Sequence, residues 1–370
     1  MPSKRLKNVA VIGVAALAVA AMALRNPVRH WWKARFHAHA PSGGRFQNCE
    51  GLASDAEGNL YVGNQDTGRL VMLDRTGKTL LDFDSVEGYR DGDGNPDHIT
   101  RGNNIVAIAP RHLVLVGRHN VAEIDLTGDK PRLVRIIGSR GSAPGQMDGP
   151  EGLCRDANGD LYVTDEHNRR INIFDKDGKF LRMFEVPQDP QTVMVWKDRV
   201  YVALDKRNYI ACYSKEGREL FRIGHAAVFP LLCWITIPGG IGLFALLLLL
   251  KKPRAAWGAL GIFALAGAGG SAADYLHHDS PGQFRLPDYI LVSRDGTALY
   301  ITDRANARIQ VTDMDGRFKF LFGSRGRGPS QFIDPKDLAW DADGNLVVAD
   351  SDNSRLEVFT PDGKHLREIR

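Results

Sequence analysis

The chain has 370 residues, 43% hydrophobic and 25% charged, which excludes a disordered tail and leaves room for a large core. Its four cysteines, Cys49, Cys154, Cys212 and Cys233, form no C-x-x-C pair, which excludes a disulfide scaffold and a zinc-finger module. Eight basic and no acidic residues lie in 1–45, and Lys251, Lys252 and Arg254 sit between two apolar runs; setting these eleven of the 48 Lys+Arg apart leaves the body acidic by seven against 44 Asp+Glu, which excludes a nucleic-acid partner.

Residues 9–24 form an apolar run behind Lys4, Arg5 and Lys7. One reading is a cleaved signal peptide, with Ala21-Met22-Ala23 at the cleavage site. The other is an uncleaved anchor, with Arg25, Arg29 and the interfacial pair Trp31-Trp32 behind it. The anchor is preferred. Residues 1–25 are therefore read as anchor or signal, and 26–45 as a juxtamembrane linker.

From residue 46 the chain repeats itself. The first unit opens at Cys49-Glu50 and carries Asp55-Ala56-Glu57-Gly58-Asn59-Leu60-Tyr61-Val62. A segment with oxygen side chains at alternate positions follows, Asp91, Asp93, Asn95 and Asp97. That spacing suits calcium, yet Pro96 and Gly102 stand where an EF-hand needs Gly and Glu. A looser calcium loop and a plain acidic turn are the two readings. The second unit is worn, running through Ile105–Ile108, Leu113–Val116 and Val121–Asp125.

The third unit reads Pro150-Glu151-Gly152-Leu153, then Asp156-Ala157-Asn158-Gly159-Asp160-Leu161-Tyr162-Val163-Thr164-Asp165, then Asn168, Arg170 and Ile171. A worn fourth unit spans Thr192–Val195, Val200–Ala203 and Tyr209–Tyr213. The fifth carries Pro287, Leu299-Tyr300-Ile301-Thr302-Asp303, Asn306 and Arg308. The sixth repeats the third, from Pro335 through Asp341-Ala342-Asp343-Gly344-Asn345 to Asp350, Asn353 and Arg355. Each unit reads as four short alternating strands with Asp-Gly or Asn-Gly turns.

Two more apolar runs, 226–250 and 255–273, stand between the fourth and fifth units. Each is long enough to span a bilayer, and Lys251-Lys252-Pro253-Arg254 joins them into a hairpin. The density of basic residues in that loop places it in the cytoplasm and the body outside it, on the periplasmic or extracellular side. Removing the hairpin leaves a spacing of 40–50 residues per unit, which suits six four-stranded blades in a ring. The expected organisation is propeller blades one to four over 46–224, a transmembrane hairpin over 225–274, and blades five and six over 275–370. The fold class is an all-β six-bladed β-propeller plus three membrane helices.

The linker Gly138-Ser139-Arg140-Gly141, then Gln146-Met147-x-x-Pro150, matches Gly323-Ser324-Arg325-Gly326, then Gln331-Phe332-x-x-Pro335. Gln283-Phe284-x-x-Pro287 is a third copy. With Leu-Tyr-Val-x-Asp-x-x-Asn-x-Arg-Ile, this pattern resembles the NHL repeat family over 46–224 and 280–370. The resemblance implies a six-bladed propeller and leaves the function open. Such proteins include RNA-binding ubiquitin ligases, receptor-kinase sensor domains and a metal-dependent peptide-amidating lyase whose zinc-holding His residues have no aligned counterpart here.

The recurring pairs Asp165/Arg170, Asp303/Arg308 and Asp350/Arg355 read as ion pairs within each blade. Unit two swaps the charges, as Arg118 and Glu123, and unit four loses both, as Leu204 and Tyr209. The residue after each opening Pro should line the mouth of the central channel: Glu50, Asn103, Glu151, Gln191, Asp288 and Lys336. Three carboxylates there could hold a divalent cation, as the related propeller lactonases hold calcium; the other reading is a water-filled polar channel. No cofactor is assigned beyond a divalent cation, calcium, in one of these two places. The expected role is a membrane-anchored binding, scaffold or sensor module for a protein, peptide or lipid-borne envelope ligand. The alternative is a metal-dependent lyase or hydrolase working at the channel mouth.

Overall fold

The computed structural model describes residues 46, 48–90, 104–224 and 280–370. Residues 45–370 form one compact unit. It consists of six four-stranded antiparallel sheets, each taking its strands in chain order. Their innermost strands are Cys49–Ser54, Ile105–Ala109, Pro150–Arg155, Val193–Trp196, Pro287–Val292 and Pro335–Trp340. Each touches the next around a closed ring, with the sixth against the first. The body is thus a six-bladed β-propeller, as the repeat spacing requires.

The strands depart from the expected alternation for a physical reason. The two middle strands of a blade are covered on both faces by neighbouring blades, so Leu161–Asp165 and Arg170–Phe174 are buried at every position. The outermost strand of that blade, Phe180–Glu185, faces a neighbour on one side only and keeps the two-residue period over most of its length.

Blades one and six are each complete in themselves, so no strand is shared to fasten the ring. Side chains close the seam instead. The Leu52 N–H donates to Asp337 Oδ2 at 2.8 Å, Ser351 Oγ to the Cys49 carbonyl, and Ser54 Oγ to the Trp340 carbonyl. Leu52, Val62 and Val71 of blade one pack with Ala339, Val347 and Val358 of blade six.

The linker motif has a mechanical role. Phe46, Met147, Phe284 and Phe332 each stand three residues before an innermost strand and are fully buried. Each plugs the joint ahead of its blade, and burying such a side chain contributes about 1.5–3 kcal/mol. Arg170 donates to the carbonyls of Ser142, Ala143 and Gln146 while holding Asp165 at 2.8 Å. Arg308 does the same with Ser280, Gln283 and Asp303, and Arg355 with Arg327, Gly328, Gln331 and Asp350. The repeated Asp/Arg pairs therefore fasten the linkers onto the blades.

Blade two does not carry the charges in swapped places. Its aligned positions are Val116 and Val121, which face each other in register. Arg118 lies in the turn, and Glu123 binds Arg135 of the outer strand at 2.6 Å. The paired loss in blade four is as expected, with Leu204 opposite Tyr209.

Among the described residues no helix is long and apolar enough to cross a membrane. The segments read as three membrane helices, in 9–24, 226–250 and 255–273, lie outside the described residues, as do Asp91, Asp93, Asn95 and Asp97.

Candidate functional site

The innermost strands all begin on one face of the ring, and their first residues surround a cavity of about 50 Å³. It is lined by Glu50, Asn104, Glu151, Gln191, Thr192, Asp288, Tyr289, Arg304 and Lys336. Five of the six mouth residues expected from position alone, Glu50, Glu151, Gln191, Asp288 and Lys336, are brought together there. Blade two contributes Asn104; Asn103 lies outside the described residues.

Sequence reasoning missed a second tier. The residue after the recurring Asp turns back over the channel, which brings Arg304 of blade five into the lining. At the same register stand Glu166 in blade three and Asp205 in blade four. The signal was present in the repeat, one position beyond the residue it marked.

Two of the three expected carboxylates are already matched with cations. Glu50 is bound by the Lys336 ammonium. Asp288 is bound by Arg304 at 3.1 Å, and the same guanidinium grips Asp334 at 2.7 Å. The ring of three carboxylates open to a divalent cation is therefore not what forms. Among the described residues, no group of three or more His, Cys, Asp or Glu could hold a metal ion.

The electrostatics follow from burial and these partners. Burial pushes the Glu50 carboxyl above its ordinary range, against the pull of Lys336. Burial, then the negative charges of Glu166, Glu50 and Asp288, push Glu151 up to about 8. Burial opposes the charges of Arg304 and Lys336, yet the surrounding carboxylates keep both well charged. At the seam between blades six and one, Asp337 is buried and its carboxyl is pushed well up by that burial. It accepts from the N–H groups of Leu52 and Leu338.

Two histidines lie on the same face beyond the cavity. His119 Nδ1 and His167 Nδ1 stand 3.4 and 3.5 Å from Asp148 Oδ1. Cys49, Cys154 and Cys212 are buried and free. Burial pushes the Cys49 and Cys154 thiols up to about 12 and about 11, so neither is poised as a nucleophile.

The NHL repeat profile matches residues 147–174 and 332–359. The chain carries NHL repeats, in the third and sixth blades. Among curated proteins, the Drosophila melanogaster protein brain tumor is 31% identical over 90 residues, 24% of this chain and 9% of that protein. The Mus musculus NHL repeat-containing protein 3 is 36% identical over 86 residues, 22% of this chain and 24% of that protein. The matched stretch is therefore at most about a quarter of each of these relatives. Among solved structures, a Bacteroides thetaiotaomicron protein of unknown function has a TM-score of 0.57 at 14% identity, covering 87% of this chain and 71% of that one. A streptogramin B lyase has a TM-score of 0.51 at 12% identity, covering 90% and 85%. At such identities the likeness is one of fold alone.

Proposed function

We propose that this propeller is a membrane-anchored binding module, a scaffold or sensor that receives part of a protein, peptide or lipid-borne ligand in its channel mouth. The observation that carries this reading is the mouth itself. Residues from all six blades converge on one small polar cavity, and Glu50, Lys336, Asp288 and Arg304 are held in place by ion pairs. A rigid, preorganised arrangement of this kind suits recognition. The NHL relatives support the protein-binding side of the reading. The metal-dependent lyase or hydrolase reading asks for carboxylates open to a cation, whereas Glu50 and Asp288 hold Lys336 and Arg304.

Anchoring by residues 9–24 and by a hairpin over 226–250 and 255–273 belongs to the same proposal, with the propeller on the extracytoplasmic side. Its support is the apolar length of those runs and the place where the chain leaves the ring. Gly224 ends blade four against Phe284, just before blade five, so the inserted segment departs and returns at neighbouring points. Both points lie at the mouth end of the blades, which would turn the mouth towards the lipid. A calcium ion held by Asp91, Asp93, Asn95 and Asp97 is a further proposal.

The test uses a photocrosslinking side chain placed in the full chain at Gln191, in the mouth, or at Lys364, on a turn at the opposite end. The expected result is a discrete protein or lipid adduct from membranes at position 191 only. Equal adducts at both positions, or none at 191, would overturn the reading. Retention of the protein in the membrane pellet after alkaline carbonate washing is expected, and its release would remove the anchor.

A further inference from the structure

The end of the ring opposite the mouth carries a second cavity, of about 280 Å³, in the joint between blades five and six. Its apolar walls are Tyr300, Val311 and Phe320 of blade five and Trp340 and Pro361 of blade six. The polar atoms of the two largest side chains there are already used. The Tyr300 hydroxyl donates to the Pro361 carbonyl at 2.7 Å, and the Trp340 indole N–H to the Val292 carbonyl at 2.8 Å. The two rings meet edge to face, with centroids 5.1 Å apart. Both are thereby fixed, and the walls stand ready for an apolar body without rearrangement.

A difference between joints accounts for the space. Gly296 and Gly344 hold the same place in the turn that follows the innermost strand, with the glycine N–H bonded to the Ser293 carbonyl in blade five and to the Asp341 carbonyl in blade six. Between blades four and five that place is covered, since a Cβ on Gly296 would stand 2.2 Å from the Trp196 ring. Between blades five and six, Gly344 lines the cavity, and a Cβ on it would meet nothing nearer than the Arg294 guanidinium at 3.8 Å. Blade five presents a guanidinium to its neighbour where blade four presents an indole.

The rim supplies charge. Arg294 and Lys319 both line the cavity and are exposed. Arg294 donates to the Asp341 carbonyl, and among the described residues neither cation has a carboxylate partner. Asp295, the acidic group of the lining, is taken up by its own turn. It accepts from the Ser293 hydroxyl at 2.6 Å, the Thr297 hydroxyl at 2.9 Å and the Thr297 N–H at 3.1 Å. An apolar chamber with two cations at its opening is complementary to an apolar body that ends in an anion. A cavity of about 150 Å³ holds benzene, so this one has room for a body of about two rings.

We propose that this joint is a second ligand site, which takes a small carboxylate with a planar, apolar body of about two rings. The body lies against Tyr300 and Trp340, and the carboxylate sits at the opening with Arg294 and Lys319. The site is independent of the mouth, with which it shares no lining residue.

The probe is sodium 2-naphthoate, titrated calorimetrically into the full chain near neutral pH, with 2-naphthylmethanol as the neutral counterpart. Expected is saturable binding of the acid, about tenfold tighter than that of the alcohol, with the difference shrinking as salt is raised. Arg294→Gln and Lys319→Gln should each weaken the acid several-fold and leave the alcohol unchanged. Both side chains are exposed, so neither variant endangers the fold. Arg294→Trp gives this joint the indole that blade four uses and should abolish binding of acid and alcohol alike. No binding to the wild type, equal binding of acid and alcohol, or binding that persists unchanged in Arg294→Trp would overturn the proposal. Should Arg294→Trp fold poorly, the preference for the acid and its loss in Lys319→Gln decide the matter, and an unchanged preference in that variant would sink it.

Discussion

The Lys336 ammonium rests on the Glu50 carboxylate, and this pair joins the innermost strand of the sixth blade to that of the first. Their positions are 286 residues apart in sequence. One contact thus serves two ends, since it helps close the ring and sets the charge of the mouth.

Breaking that pair from one side should be worse than removing it. Lys336→Met strands a buried carboxylate, and a loss of about 3–5 kcal/mol in unfolding free energy is expected. Adding Glu50→Gln should recover most of it, because the two neutral groups no longer need each other. A double-mutant cycle by denaturant unfolding of the full chain checks the coupling.

Arg355 is 1% exposed and holds Asp350, Glu357 and three linker carbonyls. Arg355→Met should cost about 3–5 kcal/mol, as it leaves buried carboxylates and carbonyls without donors. Arg69 occupies the same register in blade one, but its side chain and that of Asp82 are 39% and 42% exposed. Arg69→Met should therefore cost only about 0–1 kcal/mol. Thermal unfolding of the two variants side by side measures the contrast.

Glu151 makes stability depend on pH. Its carboxyl rises from an ordinary 4.5 to about 8 in the folded protein, so the fold keeps a proton that the unfolded chain gives up. The stabilisation is fully present below about pH 4.5, falls as pH climbs to about 8, and is flat above. Glu151→Gln cannot ionise, so its stability relative to the wild type should grow between pH 5 and 8 by on the order of a few kcal/mol. Melting temperatures across that range would show the two curves diverging, and parallel curves would refute the account.

Gly152, on the inner strand of blade three, lies against the backbone that enters blade four. A Cβ there would stand 2.6 Å from both the Gln191 carbonyl oxygen and the Thr192 Cα. Neither is a side chain that can swing aside, so Gly152→Ala should cost about 1–3 kcal/mol and displace Gln191 in the mouth. Gly344→Ala meets nothing nearer than 3.8 Å and only has to bear its φ of +85°, a cost of about 1 kcal/mol or slightly more. Denaturant midpoints of the two variants test the order.

For the proposed calcium loop, the ion should raise the melting temperature of the full chain. A hundredfold excess over the dissociation constant is worth about 2.7 kcal/mol. Asp93→Ala should abolish the rise, and an unchanged melting temperature in the wild type would return 91–97 to an ordinary turn.

Periodicity alone determined the number of blades and five of the positions that line the mouth. Related entries such as Pro150-Glu151-Gly152-Leu153 and Pro335-Lys336-Asp337-Leu338, an Asp-Gly turn and a Leu-Tyr-Val-like strand recur at a spacing that suits a four-stranded unit. Blade two failed because its copy is worn, and a slip of two residues put Arg118 and Glu123 where Val116 and Val121 belong. What the tertiary structure decided is partnership. Glu50 and Lys336, or Arg304 and Asp334, meet only because the ring closes and the linkers fold over it, and no spacing along the chain encodes a contact between separate blades. Repeat patterns report local geometry, which is shared by every copy. The charge state of the mouth depends on the differences between copies once burial has brought them face to face.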